Sequence, residues 1–268
     1  MKQLKSSLRD LREILERSFT VRQISEPLAS FDASTPIEGV RSFMEKKDYD
    51  VVGVRDQGLI VGHARRSDVG ARTLAECSSP FDPSALIPDS APLRDALRVL
   101  VDAPYLFVLV LDRVWGIVTR GDLQKVPVRM WLFALISLME MRFLRLIREC
   151  YPENSWTSQL SSERVGEAQR LLALRVQRNE AIDLADCLQL CDKRAIIAKT
   201  EILRGPLGFA SRTKADDALK PLEKLRDNLA HAQDLKPGNW AELMELAARA
   251  EDVVARCETL SPGPVTAP

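Results

Sequence analysis

Gly116-Ile117-Val118-Thr119-Arg120-Gly121-Asp122 lies near the middle of the chain, and Gly62-His63-Ala64-Arg65-Arg66-Ser67-Asp68 precedes it. Both run from a glycine through two or more apolar or small residues to an aspartate, with the same glycine-to-aspartate spacing. Working outward, the likeness continues. The first segment is preceded by Ser34-Thr35-Pro36-Ile37, an amphipathic run through Val40, Phe43 and Met44, and the stretch Tyr49-Asp50-Val51-Val52-Gly53-Val54. The second is preceded by Ser90-Ala91-Pro92-Leu93, a run through Ala96, Leu97 and Leu100, and an apolar stretch from Tyr105 to Val110. A repeat of this length is a supersecondary unit used twice. Pro36 and Pro92 suit a first helical turn. Residues 51–54 and 106–110 are short β-rich runs fit for buried strands. Asp56-Gln57-Gly58 predicts a hairpin turn, with Asp112-Arg113 in its place in the second unit. Each unit reads as turn, helix, strand, turn, strand, helix.

Over residues 20–126 this pattern resembles the CBS domain family, whose repeats end in Gly-hydrophobic-hydrophobic-Thr-x-x-Asp. The resemblance implies that the pair binds a regulatory adenine nucleotide: AMP, ATP or a cyclic dinucleotide. It makes Asp122 and Thr119 the leading ligand residues, the carboxylate for ribose hydroxyls and the hydroxyl for ribose or phosphate. Asp68 holds the equivalent place in the first repeat, where Arg65 stands instead of threonine. That arginine either pairs with a phosphate or fills the pocket, so the two sites are expected to be unequal. Arg120 and Arg66 are further phosphate candidates, and the glycines are read as permitting a tight turn near the ligand. The plainer alternative is that both aspartates only cap helices.

The chain has 268 residues and balanced charge, 38 Lys plus Arg against 38 Asp plus Glu. Whole-molecule charge therefore gives no pointer to nucleic acid or anionic membrane. Five cysteines are scattered without a CxxC, which argues against a disulfide framework or structural zinc. Cys187 and Cys191, one helical turn apart, read as small apolar helix residues. The most apolar run, residues 130–139, is too short to span a bilayer. With no signal peptide in evidence, a cytoplasmic location without membrane contact is expected.

The domain division expected is an N-terminal helix over 1–19, repeats over 20–78 and 79–127, a helical domain over 128–260 and a disordered tail over 261–268. The fold class is α+β: two small sheets with helices, then an all-α bundle of four or five helices. Helices are predicted over 128–150, 163–182 with Ser161 or Ser162 as cap, 183–203 capped by Asp183, 214–235, and 239–260 capped by Asn239.

The chain has two histidines. His63 reads as a packing or surface residue. His231 lies five positions after Arg226 in Arg226-Asp227-Asn228-Leu229-Ala230-His231. At about 100° per residue, Leu222, Leu225 and Leu229 form one stripe and His231 falls about 160° from it. Asp227, four residues earlier, shares the face of His231. This segment resembles the HEPN family of helical domains, many of them metal-independent ribonucleases that act as dimers through an Arg-x(4–6)-His motif. The resemblance, over residues 130–260, implies that His231 is general acid or base, that Arg226 holds the scissile phosphate, and that Asp227 or Asn228 orients the imidazole. It implies RNA as a substrate, a homodimer or higher homo-oligomer that brings two copies together, and no required metal or cofactor. The alternative is a non-catalytic nucleotide sensor whose helical half serves dimerisation or partner docking, with Arg226 merely paired to Asp227 or Glu223. A nuclease under nucleotide control suits stress response or antiviral defence, by family analogy.

Overall fold

A computed structural model describes residues 8–68, 73–230 and 240–265. The chain divides into two units, Glu16–Val128 and the residues on either side of it.

The first described elements are helix α1 (Leu8–Ser18) and a 3-10 turn at Val21–Gln23. The first unit then runs through β1 (Glu26–Pro27), β2 (Ser30–Asp32), α2 (Ile37–Lys47), β3 (Val51–Asp56) and β4 (Leu59–Arg65). The second copy follows as β5 (Leu86–Pro88), α3 (Leu93–Leu100), β6 (Tyr105–Val110) and β7 (Arg113–Thr119). In each copy a short strand lies parallel to the first long strand, and that strand forms a hairpin with the next. The short parallel strand was not expected. It is three residues long and carries no period-2 run that a sequence pattern could reveal. Among the described residues, the segment that closes each repeat holds a 3-10 turn, Arg66–Asp68 and Arg120–Gln124.

The two hairpins superpose residue for residue. Val51 faces Arg65 and Tyr105 faces Thr119, and each hairpin shifts register at the same place, Val54/Arg55 and Val108/Leu109. Gln57 and Gly58 turn the first hairpin with φ of 46° and 81°. Leu111 and Asp112 turn the second with φ of 50° and 60°, one residue earlier than Asp112-Arg113. Two consecutive left-handed residues match the twist of the strands. Leu111 lacks the glycine or asparagine chemistry that marks such turns, which is why the sequence hid it.

The strand β1 precedes the first repeat yet joins the sheet of the second. The sheets are β1-β7-β6-β5 and β2-β3-β4, with Glu26 opposite Ile117 on β7. The segment before β1 follows the same route: the amides of Val21 and Arg22 donate to the carbonyls of Ala91 and Asp89. Residues 21–27, assigned from sequence to the first repeat, thus hydrogen-bond with the second. A matching bridge joins Ser79 to His63 on β4. Two glycines make these edges close enough. A Cβ at Gly116 would stand 2.7 Å from the Glu26 carbonyl oxygen, and one at Gly62 would stand 2.8 Å from that of Ser79. The repeated glycine therefore admits a neighbouring strand, which replaces the turn role read from the sequence.

The first repeat buries Ile37, Val40, Met44, Val52, Val54, Ala64 and Leu74 together. A separate core joins the repeats through Leu28, Val51 and Phe107. His63 belongs to this seam. It is 5% exposed, stacks on Phe81 with ring centroids 5.5 Å apart and meets the tilted ring of Phe107 at 5.0 Å.

The helical unit is led by α4 (Val126–Cys150), which buries Leu132, Ile136, Met139, Phe143, Leu146 and Ile147 at helical spacing. Pro152, with Glu153 and Asn154 in the left-handed region, breaks it. The helix α5 (Ser162–Val176) starts with the Ser161 hydroxyl accepting from the Arg164 amide and stops earlier than residue 182, where Asn179 turns left-handed. The single helix expected over 183–203 is three pieces: a 3-10 turn at Leu184–Cys187, α6 (Leu190–Lys199) and α7 (Glu201–Arg204). Carboxylates interrupt it. Asp186 accepts the Asp183 amide and Asp192 accepts that of Gln189, each at 3.0 Å, offering the backbone caps in place of helical bonds. Cys187 and Cys191 fall on either side of this break. Then come α8 (Arg212–Ala230) and α9 (Trp240–Thr259). The expected cap Asn239 lies outside the described residues. The tail, expected to be disordered, is tied at residue 265: the Val265 amide donates to the Cys150 carbonyl at 2.8 Å, satisfying one of the last-turn acceptors of α4.

No described helix is long and apolar enough to cross a membrane.

Candidate functional site

The carboxylate of Asp122 is 8% exposed and held from several sides. Its Oδ2 accepts the Thr119 amide at 2.7 Å and the Thr119 hydroxyl at 2.9 Å. The Lys125 ammonium stands 2.8 Å from Oδ1 and also donates to the Ile24 carbonyl at 2.7 Å and to the Glu26 carboxylate. Burial works against the Lys125 charge, but hydrogen bonds to Asp122 and Glu26 outweigh it and hold its pKa above the ordinary lysine value. The structure thus brings Thr119 and Asp122 together, as the sequence suggests, with a cation already against them. Arg120 points elsewhere. Its guanidinium donates to the carbonyls of Leu100 and Val101 at 2.9 and 2.7 Å, satisfying the C-terminal end of α3.

The equivalent corner of the first repeat differs. Asp68 is exposed, and its carboxylate accepts the Arg65 amide at 3.3 Å and the Ser67 hydroxyl at 3.1 Å. Arg66 reaches back as Arg120 does, but to side chains: Asp48 at 3.0 Å and Asp50 at 2.5 Å. Two carboxylates neutralise that guanidinium. Arg65 is exposed and has no carboxylate partner among the described residues.

Beside Arg65 opens a cleft of about 690 Å³, lined on one side by Asp50, Arg65, Arg66 and Ser67 and on the other by Asp82, Ala85, Ala103, Pro104 and Tyr105. That volume lies in the range of small-ligand sites. The walls divide by chemistry. Ala85, Ala103, Pro104 and the Tyr105 ring give an apolar face. Asp82 gives an acceptor, Asp50 and Arg66 are paired with each other, and Arg65 gives a cation. The amide and hydroxyl of Ser84 hold the Asp82 carboxyl below the usual carboxylate range, so it stays an acceptor at neutral pH. Tyr105 is fixed from behind by Phe107, 5.3 Å between centroids. Asp50, Asp82 and Tyr105 were not singled out from the sequence. Asp50 precedes β3, Tyr105 begins β6 and Asp82 caps a 3-10 turn, positions with no motif of their own, and the pairing of the two repeats brings them to one cleft.

Residues 80–129 match the CBS domain family model. That stretch is the second repeat, and the first has the same strand and helix order. Among solved structures, the chain is similar to CBSX2 in complex with AMP, at 21% identity over 42% of this chain and 98% of that one, with a TM-score of 0.37. It is likewise similar to the CBS-pair protein CBSX2 from Arabidopsis thaliana, at 22% identity over 42% and 94% with a TM-score of 0.36. A third is the CBS domain of the bacterial CNNM/CorC family Mg2+ transporter in complex with ATP, at 20% identity over 44% and 92% with a TM-score of 0.34. Comparison with curated proteins gives no match.

In the helical unit, Arg226 lies on α8 with its Nε 3.1 Å from the Asp227 carboxylate. Asp227 is exposed and Asn228 half-buried. Glu223, the other partner considered for Arg226, is taken by Arg194 at 2.9 Å. His231, the expected acid or base, lies outside the described residues.

Proposed function

We propose that this protein senses an adenine nucleotide in the cleft beside Arg65 and passes the occupancy of that cleft to its helical half. The observation that carries this reading is the cleft itself, which gathers Ala85, Ala103, Pro104 and Tyr105 with the Asp82 carboxylate and with Arg65, a guanidinium without a carboxylate partner among the described residues. An aromatic ring stacks on a base, carboxylates accept ribose hydroxyls, and arginine matches phosphate geometry. The CBS match of residues 80–129 and the nucleotides named for similar CBS structures point the same way. The route to the helical half is α4, which begins one residue after Lys125. Signalling requires that the ligand bind two arrangements with different affinity. The test is calorimetric titration of the full chain with AMP, ADP and ATP beside Arg65→Ala. Saturable binding weakened by the substitution supports the reading, and absence of binding by all three removes it.

For the helical half the ribonuclease reading rests on the Arg226-to-His231 spacing. The contact of Arg226 with Asp227 supports the non-catalytic alternative, because the guanidinium has to leave that carboxylate to hold a phosphate. RNA cleavage by purified protein, with and without nucleotide and against His231→Ala, separates them. Cleavage indifferent to that substitution removes the enzymatic reading.

A further inference from the structure

The two repeats present related corners, and one of them holds a cation that the other lacks. Lys125 lies three residues beyond Asp122 and its ammonium touches three acceptors at once: Asp122, Glu26 and the Ile24 carbonyl. These are the carboxylate of the second repeat, the edge strand β1 and the turn before it. The acceptors that a ribose would use are thereby filled by a cation of the chain itself. Fifty-four positions earlier, the same offset that relates the two hairpins, the sequence has Ala71. The neighbours reinforce the difference. Arg120, equivalent to Arg66, is bound to backbone carbonyls, and Pro104 stands where the first repeat has the Asp50 carboxylate. Thr119, equivalent to Arg65, brings no charge.

We infer that the chain takes one nucleotide per pair of repeats, at the cleft beside Arg65, and that Lys125 closes the second site by standing in as a built-in cation on Asp122. This inference rests on the nucleotide-sensing reading and adds its stoichiometry and the residue that sets it. Lys125 is a specificity-determining residue, since it occupies the carboxylate that the second repeat would otherwise offer a ligand. Its contacts also fasten β1 to the second sheet, beside the start of α4, so that the closed site doubles as a structural clasp.

The experiment is equilibrium dialysis of the full chain with radiolabelled ATP and AMP, comparing wild type, Arg65→Ala, Lys125→Met and the double substitution. The expected result is one nucleotide per wild-type chain, lost or strongly weakened in Arg65→Ala. Two are expected in Lys125→Met, and one is retained in the double variant. Two nucleotides on the wild type, or one on a folded Lys125→Met chain, overturn the inference while leaving nucleotide sensing intact. No binding by the wild type overturns the sensing reading with it. Because Lys125→Met can lose the clasp and unfold, the wild type supplies an independent readout. Acylation of Lys125, followed by mass spectrometry, should be equally slow with and without saturating ATP. Acceleration by ATP shows that nucleotide displaces the ammonium from Asp122, and overturns the inference.

Discussion

Arg65 and Thr119 end the second hairpin strand of each repeat, and each lies opposite the first residue of the partner strand, Val51 and Tyr105. The same backbone position thus carries a guanidinium in one copy and a hydroxyl in the other. The hydroxyl turns inward to Asp122, whereas the guanidinium stands at the rim of an open cleft. The functional difference proposed between the copies rests on this exchange and on Lys125.

Arg65→Ala should weaken AMP or ATP binding by about 10- to 100-fold, the loss expected when one hydrogen bond to a charged group is removed. Arg120→Ala should leave affinity near wild type and lower stability instead, since it frees the carbonyls of Leu100 and Val101. Calorimetry and urea unfolding on both variants distinguish the two outcomes.

Gly116→Ala should destabilise the Glu16–Val128 unit by about 1–3 kcal/mol, the usual cost of forcing atoms into a packed seam. The obstruction is the Glu26 carbonyl, a backbone atom that cannot swing aside without moving β1. Gly39→Ala is the control. It lies within α2 with nothing near its would-be Cβ and should stabilise by about 0.5–1 kcal/mol. Urea unfolding of both variants checks the contrast.

His63 should make the protein acid-sensitive. Burial, then the charge of Arg65, lowers its pKa below the ordinary 6.5, while Asp68 and the Ser79 backbone pull the other way. A depressed folded value means that the unfolded chain takes up the proton first. The contribution of His63 is therefore whole above pH 6.5 and falls as pH drops below it, by at most about 1.4 kcal/mol per pH unit. Unfolding at pH 7.5 and 5.5 should show wild type losing more stability than His63→Phe, which keeps the ring stack and cannot titrate. Equal losses contradict this account.

In the helical unit, Asp192 is 3% exposed and accepts two bonds from Arg164, at 2.7 and 2.8 Å. Arg164→Met leaves that carboxylate buried and without its countercharge, and should cost about 3 kcal/mol or more. The double variant Arg164→Met with Asp192→Leu should recover much of the loss. Thermal or urea unfolding of the pair as a double-mutant cycle measures the coupling.

The repeat was legible because glycine, proline and aspartate recur at fixed places in both copies, and each recurrence has a backbone reason. Pro36 and Pro92 open the two helices, and Gly62 and Gly116 admit the edge segments. What stayed hidden was long-range. Nothing local tells that Glu26 belongs to the second sheet, or that Lys125 reaches back about a hundred residues to meet it. The sequence therefore ranked Asp122 and Thr119 first, from the better motif match, while the open cleft lies at the copy that departs from the motif. The interrupted helices after residue 176 were hidden for another reason. Asp186 and Asp192 read equally well as ordinary helix residues, and only their bonds to the amides of Asp183 and Gln189 show that they end turns.

The most direct test of nucleotide sensing at the first cleft is photolabelling with 8-azidoadenosine triphosphate, followed by peptide mapping. The account predicts saturable labelling of the peptide containing Pro104 and Tyr105, displaced by excess ATP and diminished in Arg65→Ala. Labelling confined to the peptide spanning Thr119 to Lys125, or labelling that excess ATP does not displace, would contradict it.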